Sequence, residues 1–491
     1  MRGLKAKVAL PQETEEISLD PQDWDQARRQ AHRMLDDILN HIEDIRLEPV
    51  WRPMPQKVRA QFRDELPRDP QPLSDIHKQF MEQVLPYGGG NLHPGFMGWV
   101  QGGGSVPGML AEMLAGGLNA NLGGRDHSAI AVEQQLVEWV KEIFGFPAEA
   151  SGLFVTGTSM ANFMAVLVAR AAALGPSVRK SGLGKAGSML RGYTSQAAHG
   201  CVRQAFDLSG MGADALRQIG VDARQRVDIS ALTTQIHHDR KIGLKPFMVI
   251  GSAGTVDVGA IDDLAQLADL CAQEGLWFHI DGAYGALGML SNEIAPRLKG
   301  IERADSIAFD FHKCGQVPYD AGFLLVRDSQ KHLETFAWPA AYLRRENRGM
   351  SANSPWPCDF GPDLSRGFRA LKTWFTLKAF GTERLGQIMD QSCFLARYLE
   401  RRISSEPELE LLSGAQLNIV CFRFRGDDPD HLNAEIVADL QESGIVAPSM
   451  TTVGGKVAIR ACLLNHRTQM CDVDALVSAT LDFGRRRVRA K

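Results

Sequence analysis

Between about residue 131 and residue 327 the chain alternates helical stretches with short apolar strands, among them PFMVIGSAG (246 to 254), LWFHIDGA (276 to 283), SIAFD (306 to 310) and AGFLLV (321 to 326). Strands interleaved with helices, rather than joined by tight turns, are the signature of βαβ units. The pattern predicts an α/β fold with a mostly parallel central sheet covered by helices. Before it, PQDWDQARRQAHRMLDDILNHI and PLSDIHKQFMEQVL place apolar groups at helical spacing, but these helices are too thin to form a core alone. Glycine triplets at 88 to 90 and 102 to 104 precede the amphipathic run PGMLAEMLAGGL. Beyond the alternating region come a loop-like segment at 343 to 363 and a long helical stretch from 366 to about 404. Strands (QLNIVCFRF, KVAIRACLL) then mix with helices (HLNAEIVADLQES, DVDALVSATLDF) in a smaller α+β portion. The expected organisation is therefore an N-terminal helical segment (1–90), a large domain (91–390) and a small C-terminal α+β domain (391–491).

Composition removes several function classes. The 491 residues carry a formal net charge of −4 and are 44% apolar, an ordinary globular balance. No window approaches the ~18 apolar residues of a membrane span, and the N-terminus is charged where a signal peptide needs an apolar run. A cytoplasmic protein is expected, with no membrane partner. RRQAHR (28 to 33) and RRRVR (485 to 489) read as solvated helix faces rather than a nucleic-acid surface. The eight cysteines are dispersed without a CxxC pair, which suits a reducing compartment, and no metal site is expected. His237 and His238 are adjacent, so they cannot share a helical face as paired ligands would.

Three motifs fall at strand ends, where open α/β sheets place their ligand sites. In VTGTSMANFMAVLVAR (155 to 170), Thr158 and Ser159 precede a strong helix whose first amides can hold a phosphate, although a helix cap explains the same residues. In HIDGAYG (279 to 285), Asp281 ends an apolar strand and either binds a turn amide or pairs with a ring nitrogen, while Ala283 lets a flat ring lie close. In DFHKCG (310 to 315), Lys313 leaves a strand as an exposed loop lysine or as a Schiff-base lysine. Together they supply an anion cradle, a pyridinium partner and an amine, the three things pyridoxal phosphate requires.

The order GTS, AAH (197 to 199), HIDGAYG and HK resembles the group II pyridoxal-phosphate-dependent decarboxylases, the family of aromatic-L-amino-acid and glutamate decarboxylases. LHPGFMGW (92 to 99), PGMLAEML (107 to 114), VEQQLVEW (132 to 139) and LSRGFRALKTWF (364 to 375) match further family blocks, so the likeness covers nearly the whole chain. The resemblance implies the fold type I architecture of pyridoxal-phosphate-dependent transferases and decarboxylation of an L-amino acid to its amine. It assigns Lys313 to the cofactor's aldehyde, Asp281 to its ring nitrogen, and His199 and Ala283 to opposite ring faces. Thr158, Ser159 and His312 would hold the phosphate, with Thr255 and Ser306 as further neighbours of the cofactor. It also implies a homodimer in which residues 1–90 clasp the partner and both chains line each active site.

Two departures from the family pattern bear on substrate and product. Aromatic decarboxylases carry a proton-delivering tyrosine in the loop before LSRGFR; here Trp356 and Pro357 stand near that place and no tyrosine lies between 343 and 363. Family members without it can divert to oxygen-dependent decarboxylation with deamination, giving an aldehyde. Trp99 remains in the substrate wall, followed by Val100, Gln101 and Gly102, while Arg125 and Asp126, where the family often makes a partner-subunit contact with substrate, either read a substrate side chain or form a structural ion pair. An aromatic L-amino acid is the first expectation. Acidic or diamino acids (glutamate, cysteine sulfinate, 2,4-diaminobutyrate) come next, then a phosphate-substrate lyase of the sphingosine phosphate lyase type and a pyridoxal-phosphate-binding protein without turnover.

Overall fold

A computed structural model describes residues 18–338 and 345–489. The expectation about a leader concerns residues 1–17, which lie outside the described residues, as do residues 343 and 344 of the loop. Two compact units emerge, one of residues up to 47 with 54–88, the other of 48–53 with 89–491.

The smaller unit is helical. Its longest helix, Trp24–Glu43, starts where the Asp23 carboxylate accepts the N–H groups of Asp25 and Gln26, both at 2.9 Å. Buried Gln30 bonds His77 of the helix Leu73–Gln79 at 3.1 Å. Trp24, Leu73 and Ile76 remain exposed, so this unit leaves apolar side chains at its surface.

The larger unit contains twelve described strands: β1 (Phe96–Met97), β2 (Ser151–Val155), β3 (Leu190–Ser195), β4 (Leu216–Ile219), β5 (Lys245–Ser252), β6 (Trp277–Asp281), β7 (Ser306–Asp310), β8 (Gly322–Val326), β9 (Leu409–Ser413), β10 (Ile419–Phe424), β11 (Ala447–Val453) and β12 (Lys456–Cys462). Seven form a sheet in the order β2-β8-β7-β6-β5-β3-β4. The pairings from β7 through β4 are parallel, and only β8 runs against its neighbours β7 and β2. The expected mostly parallel, helix-covered sheet is the observed one. Because β8 opposes both flanking strands, β2 and β7 point the same way and their carboxyl ends share one edge.

That edge rests on phenylalanines. Phe154, Phe309, Phe311 and Phe323 contact one another at centroid distances of 5.0 to 6.2 Å, and Phe323 is the register partner of both Phe154 and Phe309. Burying each ring contributes about 1.5–3 kcal/mol and stiffens the platform beneath the turns that follow β2 and β7.

A second sheet, β1-β11-β12-β10-β9, is mostly antiparallel and packs with the helices Pro429–Glu442 and Met470–Arg489. Its edge strand β1 comes from residues 96 and 97, far ahead of the other four in the chain. The long helix Arg369–Ser404 breaks at Gly381 (φ +72°) and runs through residue 391. Among the described residues no helix is long and apolar enough to cross a membrane.

Candidate active site

The shared edge of β2, β5, β6 and β7 opens into a cavity of about 550 Å³. Its wall includes Thr158, Ser159, His199, Thr255, Asp281, Ala283, His312, Lys313 and Trp99, residues scattered over more than two hundred positions of sequence. Parallel strands explain the convergence, since each delivers its C-terminal turn to the same side.

Lys313 stands on the turn after β7 with Nζ 3.0 Å from Asp310 Oδ2. Burial pulls its ammonium towards neutrality, but the Asp310 and Asp281 carboxylates outweigh that and hold the Lys313 pKa above the ordinary lysine value. Asp310 Oδ1 accepts the Thr158 N–H at 2.7 Å, so one carboxylate joins the lysine to the first turn of the helix Thr158–Leu174. Asp310 belongs to a motif that the sequence reading singled out for its lysine, yet its place in the wall was missed.

The opposite end of the arrangement is Asp281, the last residue of β6. Burial pushes its pKa up, while the Ala283 N–H, the charge of Lys313 and the Asn162 amide pull it back without cancelling the rise. His199 caps the helix Gly200–Phe206, its Nδ1 accepting the Cys201 N–H at 3.2 Å, which leaves the proton on Nε2. His312 Nδ1 accepts the Ala321 N–H at 3.0 Å, and its ring lies 4.3 Å from that of Tyr319.

The amine, the acid and a helix start fit pyridoxal phosphate on an observation independent of motif. Thr158 Oγ1 is buried and has no hydrogen-bond partner in the protein, so the first hydroxyl of the helix is left for an anion beside amides that favour one. The spacing of this cradle from the lysine turn is set by main chain, because a Cβ on Gly322 would lie 2.4 Å from the Gly157 Cα.

Three expected residues lie elsewhere. Ser306 is fully buried behind the wall, where its hydroxyl accepts the Trp277 indole N–H at 2.8 Å, so direct contact with a cofactor is corrected to a place one layer back. Arg125 and Asp126 are absent from this cavity. Arg125 lines a separate one of about 430 Å³, with its guanidinium 4.7 Å from the Trp356 ring, and Asp126 donates its N–H to Met350 O. Trp356 itself is buried, bonded through Nε1 to Ala352 O at 2.8 Å, with Arg345 3.6 Å from its ring. A Cβ on Gly124 would come within 2.3 Å of the indole.

Sequence reading also missed Arg460 and Asp257. Arg460, on β12, is 3% exposed and donates to the carbonyls of Trp99, Val256 and Asp257 while facing the cavity. An arginine flanked by the apolar residues of VAI and ACLL in KVAIRACLL was the signal for it.

The chain matches the model of the pyridoxal-dependent decarboxylase conserved domain over residues 55–425. It is 33% identical to an aromatic-L-amino-acid decarboxylase of Bacillus atrophaeus over 459 residues, 90% of this chain and 92% of that protein. It is 32% identical to an L-2,4-diaminobutyrate decarboxylase of Rhizobium meliloti (strain 1021), across 81% of this chain and 78% of that one. The crystal structure of Oryza sativa TDC with PLP and tryptamine superposes with a TM-score of 0.88 at 22% identity, covering 96% of this chain and all of that one.

Proposed function

The chain belongs to the pyridoxal-dependent decarboxylase family, takes pyridoxal 5'-phosphate as its cofactor and is an amino acid decarboxylase, and from that premise we propose that its substrate is an aromatic L-amino acid. The observation that carries the aromatic reading is a pair of rings, Trp99 and Tyr319, in the cavity wall with Val100 and Met450. Planar side chains bury well against such surfaces.

When bound, the cofactor supplies a conjugated cationic ring that accepts the electron pair of the bond to the departing carboxylate. Lys313 provides the amine for the cofactor's aldehyde, and Asp281 keeps the ring nitrogen protonated. Thr158, Ser159 and His312 hold the phosphate at the helix start, while His199 and Ala283 bracket the ring and Thr255 borders it. Lys313 is committed to the cofactor, so Arg460 is the remaining buried cation of the wall and takes the substrate carboxylate. In this partly dry site these charge interactions are stronger than in water.

A diamino acid is the second reading. Asp257 lines the cavity, bonded to the Thr451 hydroxyl, and its carboxylate suits a distal ammonium. An acidic side chain or a phosphate substrate would require a further cation beside Arg460. The reaction runs in a homodimer, supported by the exposed apolar side chains Met113, Leu114, Leu118 and Leu364, with Arg125 and Asp126 serving the partner's site. Eight unpaired cysteines support a reducing, cytoplasmic setting.

The deciding experiment incubates cofactor-loaded protein with pooled natural L-amino acids and follows carbon dioxide, amines, aldehydes and hydrogen peroxide. An aromatic amine without peroxide is the expected result. A diamine overturns the aromatic substrate in favour of the second reading, and an aldehyde with peroxide means that the loop without tyrosine redirects the product.

A further inference from the structure

Trp277, His279 and Asp281 occupy alternate positions of β6, so their side chains leave the same face of the sheet. That face packs against the helix Thr158–Leu174, which contributes Asn162, while β7 contributes Ser306, the register partner of His279. Four hydrogen bonds connect the five side chains in a line. Trp277 Nε1 is 2.8 Å from Ser306 Oγ, which is 2.8 Å from His279 Nδ1. His279 Nε2 is 2.9 Å from Asn162 Oδ1, and Asn162 Nδ2 is 3.1 Å from Asp281 Oδ2. Every member is buried.

The two ends of this line dictate its direction. An ionised carboxylate only accepts, so Asn162 must turn its amide nitrogen to Asp281, and the second amide hydrogen meets Cys201 Sγ at 3.4 Å. Its oxygen then faces His279, which must carry a proton on Nε2. At the other end an indole only donates, so Ser306 accepts from Trp277 and keeps its own hydroxyl hydrogen for His279 Nδ1. The Ser306 carbonyl, 3.2 Å from Nδ1, offers that nitrogen an alternative as a donor. Taking it would require a second proton on the ring, because Nε2–H is already fixed from the Asp281 end. Burial opposes that second proton, lowering the imidazole pKa to about 3. The titratable groups facing Asp281 from other elements are Lys313, His199 and Cys201.

We propose that Trp277, Ser306, His279 and Asn162 form a one-way hydrogen-bond relay that holds Asp281 as the ionised acceptor for the cofactor's ring nitrogen. Ser306, His279 and Asn162 are thereby positioning residues for decarboxylation. The relay rests on the reading of Asp281 as the partner of that nitrogen. Each link points its donor towards Asp281, so the line adds positive potential at the carboxylate without placing a charge there.

The test uses the full chain loaded with pyridoxal phosphate and labelled with 15N-histidine, the His279 signals being identified by their loss in His279→Gln. His279 protonated on Nε2 alone, through the range where a free imidazole titrates, is expected; a proton on Nδ1 overturns the relay without any variant having to fold. Ser306→Ala should shift the absorbance bands of the bound cofactor and weaken its retention roughly fivefold, the worth of one buried hydrogen bond. Ser306→Thr, which restores the hydroxyl, should recover both. If Asp281→Asn moves the bands and a folded Ser306→Ala does not, the relay is overturned while the reading of Asp281 stands. Bands that neither variant moves overturn both.

Discussion

Lys313 and Asp310 form an ion pair of 3.0 Å inside the cavity, three residues apart on one turn, and the same carboxylate binds the Thr158 amide from across 152 residues. The Lys313 amine is therefore held as its ammonium, tied to the first turn of the helix Thr158–Leu174 that is proposed to receive the phosphate.

Cofactor loading should accordingly accelerate with pH. Below the raised pKa of Lys313 the neutral amine increases about tenfold per pH unit, and only that form attacks an aldehyde. Asp310→Asn keeps an oxygen for the Thr158 N–H but removes the charge, so the pKa falls and the loading curve moves to lower pH. Stopped-flow absorbance on apoprotein measures this; superimposable curves would refute the role given to Asp310.

Lys313→Ala should reduce decarboxylation by at least about 100-fold with the circular dichroism of a folded chain, at some cost in cofactor-free stability because the buried Asp310 carboxylate loses its cation. Retained carbon dioxide release would place the amine elsewhere.

Arg366 and Glu133 form a buried ion pair at 2.6 Å. Arg366 also bonds the carbonyls of Leu122 and Phe154, and Glu133 accepts the Phe154 N–H. Arg366→Met leaves that carboxylate unpaired and should cost about 3–5 kcal/mol in denaturant unfolding. A change under 1 kcal/mol, of the order of an exposed pair, would contradict the burial argument.

Mixed dimers test the sharing of sites. If Arg125 serves the partner's cavity, Lys313→Ala and Arg125→Ala chains, each defective alone, should recover roughly a quarter of parental activity on random mixing, because half the dimers then hold one intact site. No recovery would mean that Arg125 acts on its own chain.

Trp356→Ala should destabilise the protein by about 3–5 kcal/mol and expose residues 345 to 363 to protease, because the buried indole carries the Arg125 and Arg345 contacts. Unchanged cleavage of the loop would show that these contacts do not anchor it.

The parts of the site that sequence made legible are those adjacent to strand ends. Asp281 and Lys313 each follow a run of apolar residues, and a parallel sheet sends such positions to one edge, so pattern alone places them together. Arg460 and Asn162 escaped because their meaning depends on register. Arg460 reads as an isolated charge amid apolar residues of a strand, and Asn162 as a polar residue of a helix, until β12 and β6 are set beside their neighbours. Trp277 and His279 were visible as alternating positions, but only Ser306 on the next strand turns the alternation into a connected line. In the fold, β1 joins the C-terminal sheet through two residues, Phe96 and Met97, too few for any periodicity to announce.

The contact between Gly157 and Gly322 governs how the site responds to disturbance. Side chains change rotamer as temperature or solvent changes, but two polypeptide backbones in touch act as a fixed gauge between the anion cradle and the lysine turn. On the proposed placement of the cofactor, the distance between its two attachment points is thus insulated from the remodelling of cavity-wall residues such as Val100, Gln101 and Met450. Selection can redraw the substrate wall in this chain while the calibration of its chemistry stays unchanged.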